Sequence, residues 1–356
     1  MKRGMEERLV TYAEALREAA DQEMERDPAV IVMGIGVPDF KGIYGTTKGL
    51  VEKYGQDRVF DTPLSEDGMT GIAIGAALAG LRPIHVHIRM DFLLLAMNQI
   101  VNVAAKMRYM YGGAVCVPLV IRAIIGRSWG QGAQHSQALH SYFMHVPGLK
   151  VFAPSTPYDA KGCLVTAVRD DNPVIFIEHR LLHYQKGVVP ESSYMVPFGK
   201  ARVMTEGEDL TLVGISHMVL ECVRAQKELE KIGIRAEVID PVSLSPLDIQ
   251  TILNSVLKTG RLLVVDTGWT MCGASAEIAA QIAELTQNNR SVQLKRMGFE
   301  PVNCPPAKNL ENLFYPDAQK IASAAYEMVH SGSSGKKQWM PSCQESPEVA
   351  EFRGPF

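Results

Sequence analysis

The sequence predicts an α/β protein of two domains, each a mostly parallel sheet flanked by helices. Three observations carry that expectation. Apolar residues alternate along the chain between helical spacing and short continuous runs, the pattern of buried parallel strands separated by helices. Around Lys186 to Phe198 the alternation gives way to a polar, proline-containing stretch and then resumes. At 356 residues, with 46% hydrophobic and 21% charged content, the chain is long enough to fill two cores. The boundaries that follow are a first domain over 1–190, a linker over 191–198, a second domain over 199–330 and a flexible tail over 331–356.

The elements read in order. Thr11 to Glu25 is a helix, with Thr11 as its cap and Glu14, three residues on, as the reciprocal partner of a capping box. Ala29 to Gly34 is a short apolar run ending in Gly, suited to a buried strand. Pro83 to Ile88, Val117 to Ile121, Val151 to Ala153 and Val174 to Glu178 have the same character, with helices at Asn98 to Tyr109 and Tyr158 to Arg169 between them. In the second domain, strands are expected at Leu210 to Ile215, Ala236 to Ile239 and Arg261 to Val265. Helices are expected at Met218 to Ile232 and Ala274 to Leu285. The tail, with Ser331-Gly332-Ser333-Ser334-Gly335 and scattered prolines, reads as disordered or draped on a partner.

Composition narrows the functional classes. A net charge of -3 and the lack of any Lys/Arg run leave no electrostatic footprint for nucleic acid. The most apolar windows, such as Ile72 to Leu81, fall short of the ~18 residues a membrane span needs, so a soluble protein without a membrane role is expected. The amino terminus begins basic but leads into an acidic amphipathic helix rather than an apolar signal core. Six scattered cysteines without a Cys-x-x-Cys suggest reduced thiols and a cytoplasmic location.

Three residues stand out chemically. Glu66 lies in Asp61-Thr62-Pro63-Leu64-Ser65-Glu66-Asp67-Gly68, a turn ahead of a Gly/Ala-rich helix whose surface admits another backbone or a flat ligand. Alone, it reads as a favourable charge at a helix start. His135, after the glycine-rich Gly126 to Gly132 stretch, is expected at a loop-to-helix junction where an imidazole can reach a ligand; the plainer alternative is a histidine bonded to the loop backbone. Phe92, alone, reads as core.

Taken together, several segments resemble the beta subunit of the thiamine-diphosphate-dependent 2-oxo acid dehydrogenase component, of the pyruvate, branched-chain and acetoin type, in the transketolase-like superfamily. They include Arg58 to Glu66, Gly71-Ile72-Ala73-Ile74-Gly75-Ala76-Ala77, Asn98-Gln99-Ile100-Val101-Asn102, Gln134-His135-Ser136-Gln137 and Ser243-Leu244-Ser245-Pro246-Leu247-Asp248. The resemblance covers roughly residues 5 to 330 and implies a pyrimidine-binding domain followed by a transketolase carboxy-terminal domain. It implies that Glu66 bonds the protonated pyrimidine ring nitrogen of thiamine diphosphate, that Phe92 places a ring against the pyrimidine, and that His135 lies near the substrate and the acyl-transfer route. It also implies a structural potassium site at the backbone carbonyls of Leu119, Ala167, Asp170 and Asn172, a plausible ligand set for a hard cation. The family's Gly-Asp-Gly diphosphate motif is absent from this chain. The resemblance therefore implies an alpha subunit that supplies the diphosphate half and its Mg2+, in an α2β2 assembly. A small 2-oxo acid is the implied substrate, and a lipoyl-bearing acyltransferase the implied further partner.

Some positions depart from the family pattern. Ile35, in Gly34-Ile35-Gly36 beside the cofactor, stands where the family has a carboxylate thought to link the two active sites. Val242 stands where an arginine is common. The strand before Phe92 carries His85, His87 and Arg89, alternating toward one face. They read either as contacts with a partner subunit or as a binding surface for an anion. Two enzyme classes stay open: a 2-oxo acid dehydrogenase component passing its acyl group to a lipoyl carrier, and a two-subunit carboligase of transketolase or acyloin type with an aldehyde or ketone acceptor. A non-catalytic assembly subunit fits less well, because Glu66, Phe92 and His135 are all retained.

Overall fold

The structure, a computed structural model, describes residues 8–127, 130–287, 291–331, 339–344 and 349. The chain forms two compact units, Met1–Ile125 with His145–Pro197, and Gly126–Met144 with Phe198–Phe356. The Gly126–Met144 stretch thus clusters with the carboxy-terminal part of the chain, although it interrupts the first unit in sequence.

In the first unit the strands are β1 (Leu9–Thr11), β2 (Val30–Gly34), β3 (Val59–Phe60), β4 (Arg82–His87), β5 (Val120–Ile125), β6 (Lys150–Phe152), β7 (Val174–His179) and β8 (Lys186–Val188). Six of them make a wholly parallel sheet in the order β6-β7-β5-β4-β2-β3, while β1 and β8 pair antiparallel apart from it. Every residue of β2, β5 and β7 is buried, which explains the unbroken apolar run of β2 and the largely apolar character of β5 and β7. The first helix spans Tyr12–Arg26, and Thr11 and Glu14 close the expected capping box. The Pro157–Arg169 helix packs against it and is buried over nearly its whole length. At its centre the fully buried Lys161 bonds Glu18 at 2.5 Å and the carbonyls of Pro190, Glu191 and Ser192 at 2.7, 2.9 and 3.0 Å. The stretch expected as a linker is therefore tied to the first unit up to Pro197.

The second unit contains β9 (Arg202–Thr205), β10 (Leu210–Gly214), β11 (Ala236–Asp240), β12 (Ser243–Ser245), β13 (Arg261–Trp269) and β14 (Gln293–Phe299). Five of these form a sheet in the order β14-β13-β10-β11-β9, parallel except for β9, which runs antiparallel to β11. Its core joins β10 and β11 to the Met218–Glu230 and Ala318–Val329 helices through Leu212, Cys222, Val238, Ile321 and Ala325. Of the tail expected to be flexible, Trp339 and Cys343 pack against this same core, and Ser342 bonds Glu228 at 3.3 Å. The other parts of that tail beyond Ser331 lie largely outside the described residues. Among the described residues no helix is long and apolar enough to cross a membrane.

Candidate functional site

Three adjacent parallel strands, in the order β4-β2-β3, run out of the sheet at the same edge. Ile35 follows β2, the Asp61 turn follows β3, and the helix carrying Phe92 follows β4. The carboxyl ends of strands in an open α/β sheet are where such folds bind ligands. Gly34, the last residue of β2, has φ +150° and no room for a side chain, since a Cβ there would stand 2.4 Å from the Val86 carbonyl oxygen on β4. The backbone N–H of Gly36 then donates to Asp61 at 2.9 Å, fastening the Ile35 loop to the turn that leads to Glu66.

Glu66 is the first residue of the Glu66–Leu78 helix, not a residue of the turn before it. Its charge therefore does favour the helix dipole, yet that use leaves its oxygens available. The residue is half-buried, and among the described residues no hydrogen bond or ion pair engages its carboxylate. Phe92, in the helix Met90–Leu93, is 40% exposed rather than a core residue. The Glu66–Leu78 helix packs on the segment following Phe92, with Gly71 against the Gln99 side chain. Leu64, Ile72 and Leu95 stand 84%, 58% and 61% exposed on the segments around this edge.

Behind the edge lies a buried polar network that sequence reasoning missed. Arg122 on β5 and Glu178 on β7, both fully buried, form a forked pair with bonds of 2.5 and 2.9 Å, and His183 approaches the same carboxylate at 3.3 Å. Burial alone would raise the Glu178 carboxyl, but the Arg122 guanidinium, aided by His183, holds it down at about 2. Arg122 breaks the apolar run in sequence, yet β5 runs on to Ile125 with the guanidinium paired to Glu178 inside the sheet and one Nη left without a hydrogen bond. On β4, His85 and His87 are buried with ring centroids 4.3 Å apart. Burial pushes the His85 imidazole down to about 4 and that of His87 well down too, so neither carries the positive charge that anion binding needs. Arg89 is 5% exposed, so the three do not form an open cationic surface.

His135 belongs to the second unit, and it does not open a helix: it sits in a bend well ahead of the next one, Ser141–Met144. Its loop is anchored on both sides. The Arg127 guanidinium bonds Asn312 and lies 4.8 Å from the Tyr315 ring centroid. The buried Ser136 hydroxyl faces Tyr315 and Cys304, which are themselves 3.5 Å apart, without a hydrogen bond of normal geometry. Further on, His140 meets Asp266 at 3.0 Å with both side chains buried, and the other Asp266 oxygen accepts the Ser275 N–H at 3.3 Å. Ala133 and Gln134 are left exposed and His135 half-exposed at the apex.

The carbonyl groups suggested for potassium come from segments that adjoin. The Val174 N–H donates to the Leu119 carbonyl at 2.9 Å, and the Asp170 N–H to that of Ala167 at 3.3 Å. Arg82 donates to the Asp170 carbonyl at 3.2 Å, which brings a cation of the chain's own to that oxygen. Asn172 lies in the same turn, its side chain bonded to Asp170 at 2.8 Å.

Comparison with known proteins gives two family matches. Residues 8–185 match the transketolase pyrimidine binding domain, and residues 199–321 the transketolase C-terminal domain. The chain is 45% identical over 334 residues to the beta subunit of acetoin:2,6-dichlorophenolindophenol oxidoreductase of Cupriavidus necator, covering 89% of this chain and 97% of that protein. It is 42% identical over 321 residues to the pyruvate dehydrogenase E1 component subunit beta of Rickettsia bellii, covering 90% and 99%. It is also 42% identical over 320 residues to the mitochondrial pyruvate dehydrogenase E1 beta subunit of Dictyostelium discoideum, covering 89% and 90%. Among solved structures, a split-gene transketolase in an inactive beta4 tetramer matches the fold with a TM-score of 0.69 at 20% identity, covering 90% of this chain and 98% of that one.

Proposed function

The chain belongs to the family of transketolase-type pyrimidine-binding and C-terminal domains, together with the E1 beta subunits of pyruvate dehydrogenase, and from that membership we propose that it is the beta subunit of a thiamine-diphosphate-dependent 2-oxo acid dehydrogenase component. The observation that carries the reading is the uncommitted Glu66 carboxylate at the strand ends, beside the Ile35 loop. Thiamine diphosphate, when bound, supplies the electron sink for loss of CO2 from a 2-oxo acid. The chain's own residues prepare it. A half-buried carboxylate without an internal partner is a suitable acceptor for the protonated pyrimidine nitrogen, and its charge keeps the proton there. Phe92 offers an exposed flat face to the ring. His135, on a loop held rigid at Arg127 and His140, holds and moves a proton near the substrate. At the position of Ile35 this chain has no carboxylate to link paired active sites. The Leu119, Ala167, Asp170 and Asn172 carbonyls are proposed ligands of a structural K+.

The apolar surface of Leu64, Ile72 and Leu95 suits the alpha subunit, which would contribute the diphosphate half with its Mg2+ in an α2β2 assembly. A lipoyl-bearing acyltransferase is the proposed acyl acceptor. The six free cysteines suit a reducing cytoplasm.

The test is co-purification with a subunit bearing the diphosphate motif, followed by assay on a panel of 2-oxo acids. Acylation of a lipoyl domain supports the proposal. Product formed only when an aldehyde or ketone acceptor is added would make the chain part of a carboligase.

A further inference from the structure

The first unit holds a cavity of about 750 Å3 that shares only Asn172 with the proposed K+ ligands and no residue with the Glu66 edge. Its wall combines the buried Ala104, Ala105 and Val117 with the exposed Pro147, and its lip carries the half-buried Lys106 and the exposed Arg108 and Tyr109, the last 89% exposed. The wall begins where a seven-residue π-helix, Asn98–Ala104, passes into the α-helix Ala105–Met110. Such wide turns are rare and concentrate at functional sites, because the extra residue per turn reshapes the groove beside the helix. The opposite wall is held close by design of the backbone: Gly148, at φ +99°, would place a Cβ 2.0 Å from the Ala105 carbonyl oxygen. Only glycine allows that approach, which fixes the two sides of the cavity against each other at this point.

Both cations are positioned without being neutralised. Lys106 donates to the Pro147 carbonyl at 3.1 Å, and Arg108 to the Asn172 amide oxygen at 3.0 Å. Among the described residues no carboxylate pairs with either. The acidic neighbours of Asn172 are already engaged, Asp170 with Lys150 and Asp171 with Arg82. Two preset positive charges over an apolar floor, in a volume typical of small-molecule sites, complement an anion with an apolar body.

We propose that this cavity binds a small amphipathic organic anion, its carboxylate held by Lys106 and Arg108 and its apolar body laid against Ala104, Ala105, Val117 and Pro147. The site is separate from the Glu66 edge, so it stands or falls independently of the thiamine reading. Titration calorimetry of the full chain with octanoate, octanol and inorganic phosphate tests it. The expected result is saturable one-to-one binding of octanoate, with octanol and phosphate each at least about tenfold weaker. Lys106→Gln with Arg108→Gln removes both charges while keeping hydrogen-bonding heads, and is expected to weaken octanoate about tenfold at unchanged melting temperature. No saturable octanoate binding, binding unaffected by the double substitution, or phosphate binding as tightly as octanoate would each overturn the proposal.

Discussion

Glu178, inside the parallel sheet of the first unit on β7, and Glu66, at the start of the helix that follows β3 of the same sheet, are used in opposite ways. Glu178 is fully buried and engaged by Arg122 twice and by His183 once. Glu66 is half-buried at the strand ends and engaged by nothing among the described residues. The first is committed to the sheet; the second has no partner within the described chain and is the proposed cofactor acid. His140, in the loop that carries His135, falls on the Glu178 side of this contrast, clamped to Asp266 at 3.0 Å with both side chains buried. Residue type does not tell the structural group from the working one. Commitment of its polar atoms does.

That contrast can be broken by substitution. Glu178→Gln leaves the buried Arg122 charge uncompensated and is expected to lower stability by roughly 3–5 kcal/mol in chemical denaturation. A loss under about 1 kcal/mol would mean that the network relaxes and commitment is not what holds Glu178. Asp266→Asn strands the buried His140 and removes the charged acceptor of the Ser275 N–H. A cost of about 1–3 kcal/mol is expected, with a rise in KM because the His135 loop loosens. Unchanged KM at reduced stability would uncouple that clamp from the site.

Acid titration sharpens the comparison. The Glu178 carboxyl is depressed from 4.5 to about 2, so its stabilisation is complete above the ordinary value and is lost as pH falls from 4.5 toward 2. The His85 imidazole is depressed from 6.5 to about 4, so the unfolded chain takes up its proton first and stability declines as pH falls from 6.5 toward 4. His85→Leu is expected to flatten the upper part of the stability curve and leave the Glu178 step in place. An unaltered slope between pH 6.5 and 4 would contradict a buried neutral His85. Phe92→Ala, by contrast, is expected to change stability by less than about 0.5 kcal/mol while weakening thiamine diphosphate binding, since the ring is 40% exposed.

The parallel strands and long helices were legible because burial on both faces writes apolar runs, as in β2 and the first four residues of β7, and because the Thr11 and Glu14 capping pair is local. Glu66, Phe92 and His135 are singled out by their motifs, but those motifs did not give the local structure: His135 lies in a bend rather than at a helix start, and Phe92 is 40% exposed. The supporting network was not: Arg122 and Glu178 are 56 residues apart and His140 and Asp266 are 126 apart, so nothing local marks either pair. Arg122 even disguises β5 by interrupting its apolar run. The exposed edge strand β14, with Lys295 and Arg296, lacks the continuous apolar signal of the inner strands, and the π-turn at Asn98–Ala104 has no local sequence signature.

The central claim is that Glu66 is kept free to act on a cofactor. Its most direct measurement is Glu66→Gln in the full chain assembled with its alpha partner, comparing turnover of a 2-oxo acid with melting temperature and assembly. The account predicts a loss of turnover of about 10²–10⁴-fold with stability and assembly essentially unchanged. Turnover within about threefold of the parent enzyme, set against that 10²–10⁴-fold expectation, would contradict it.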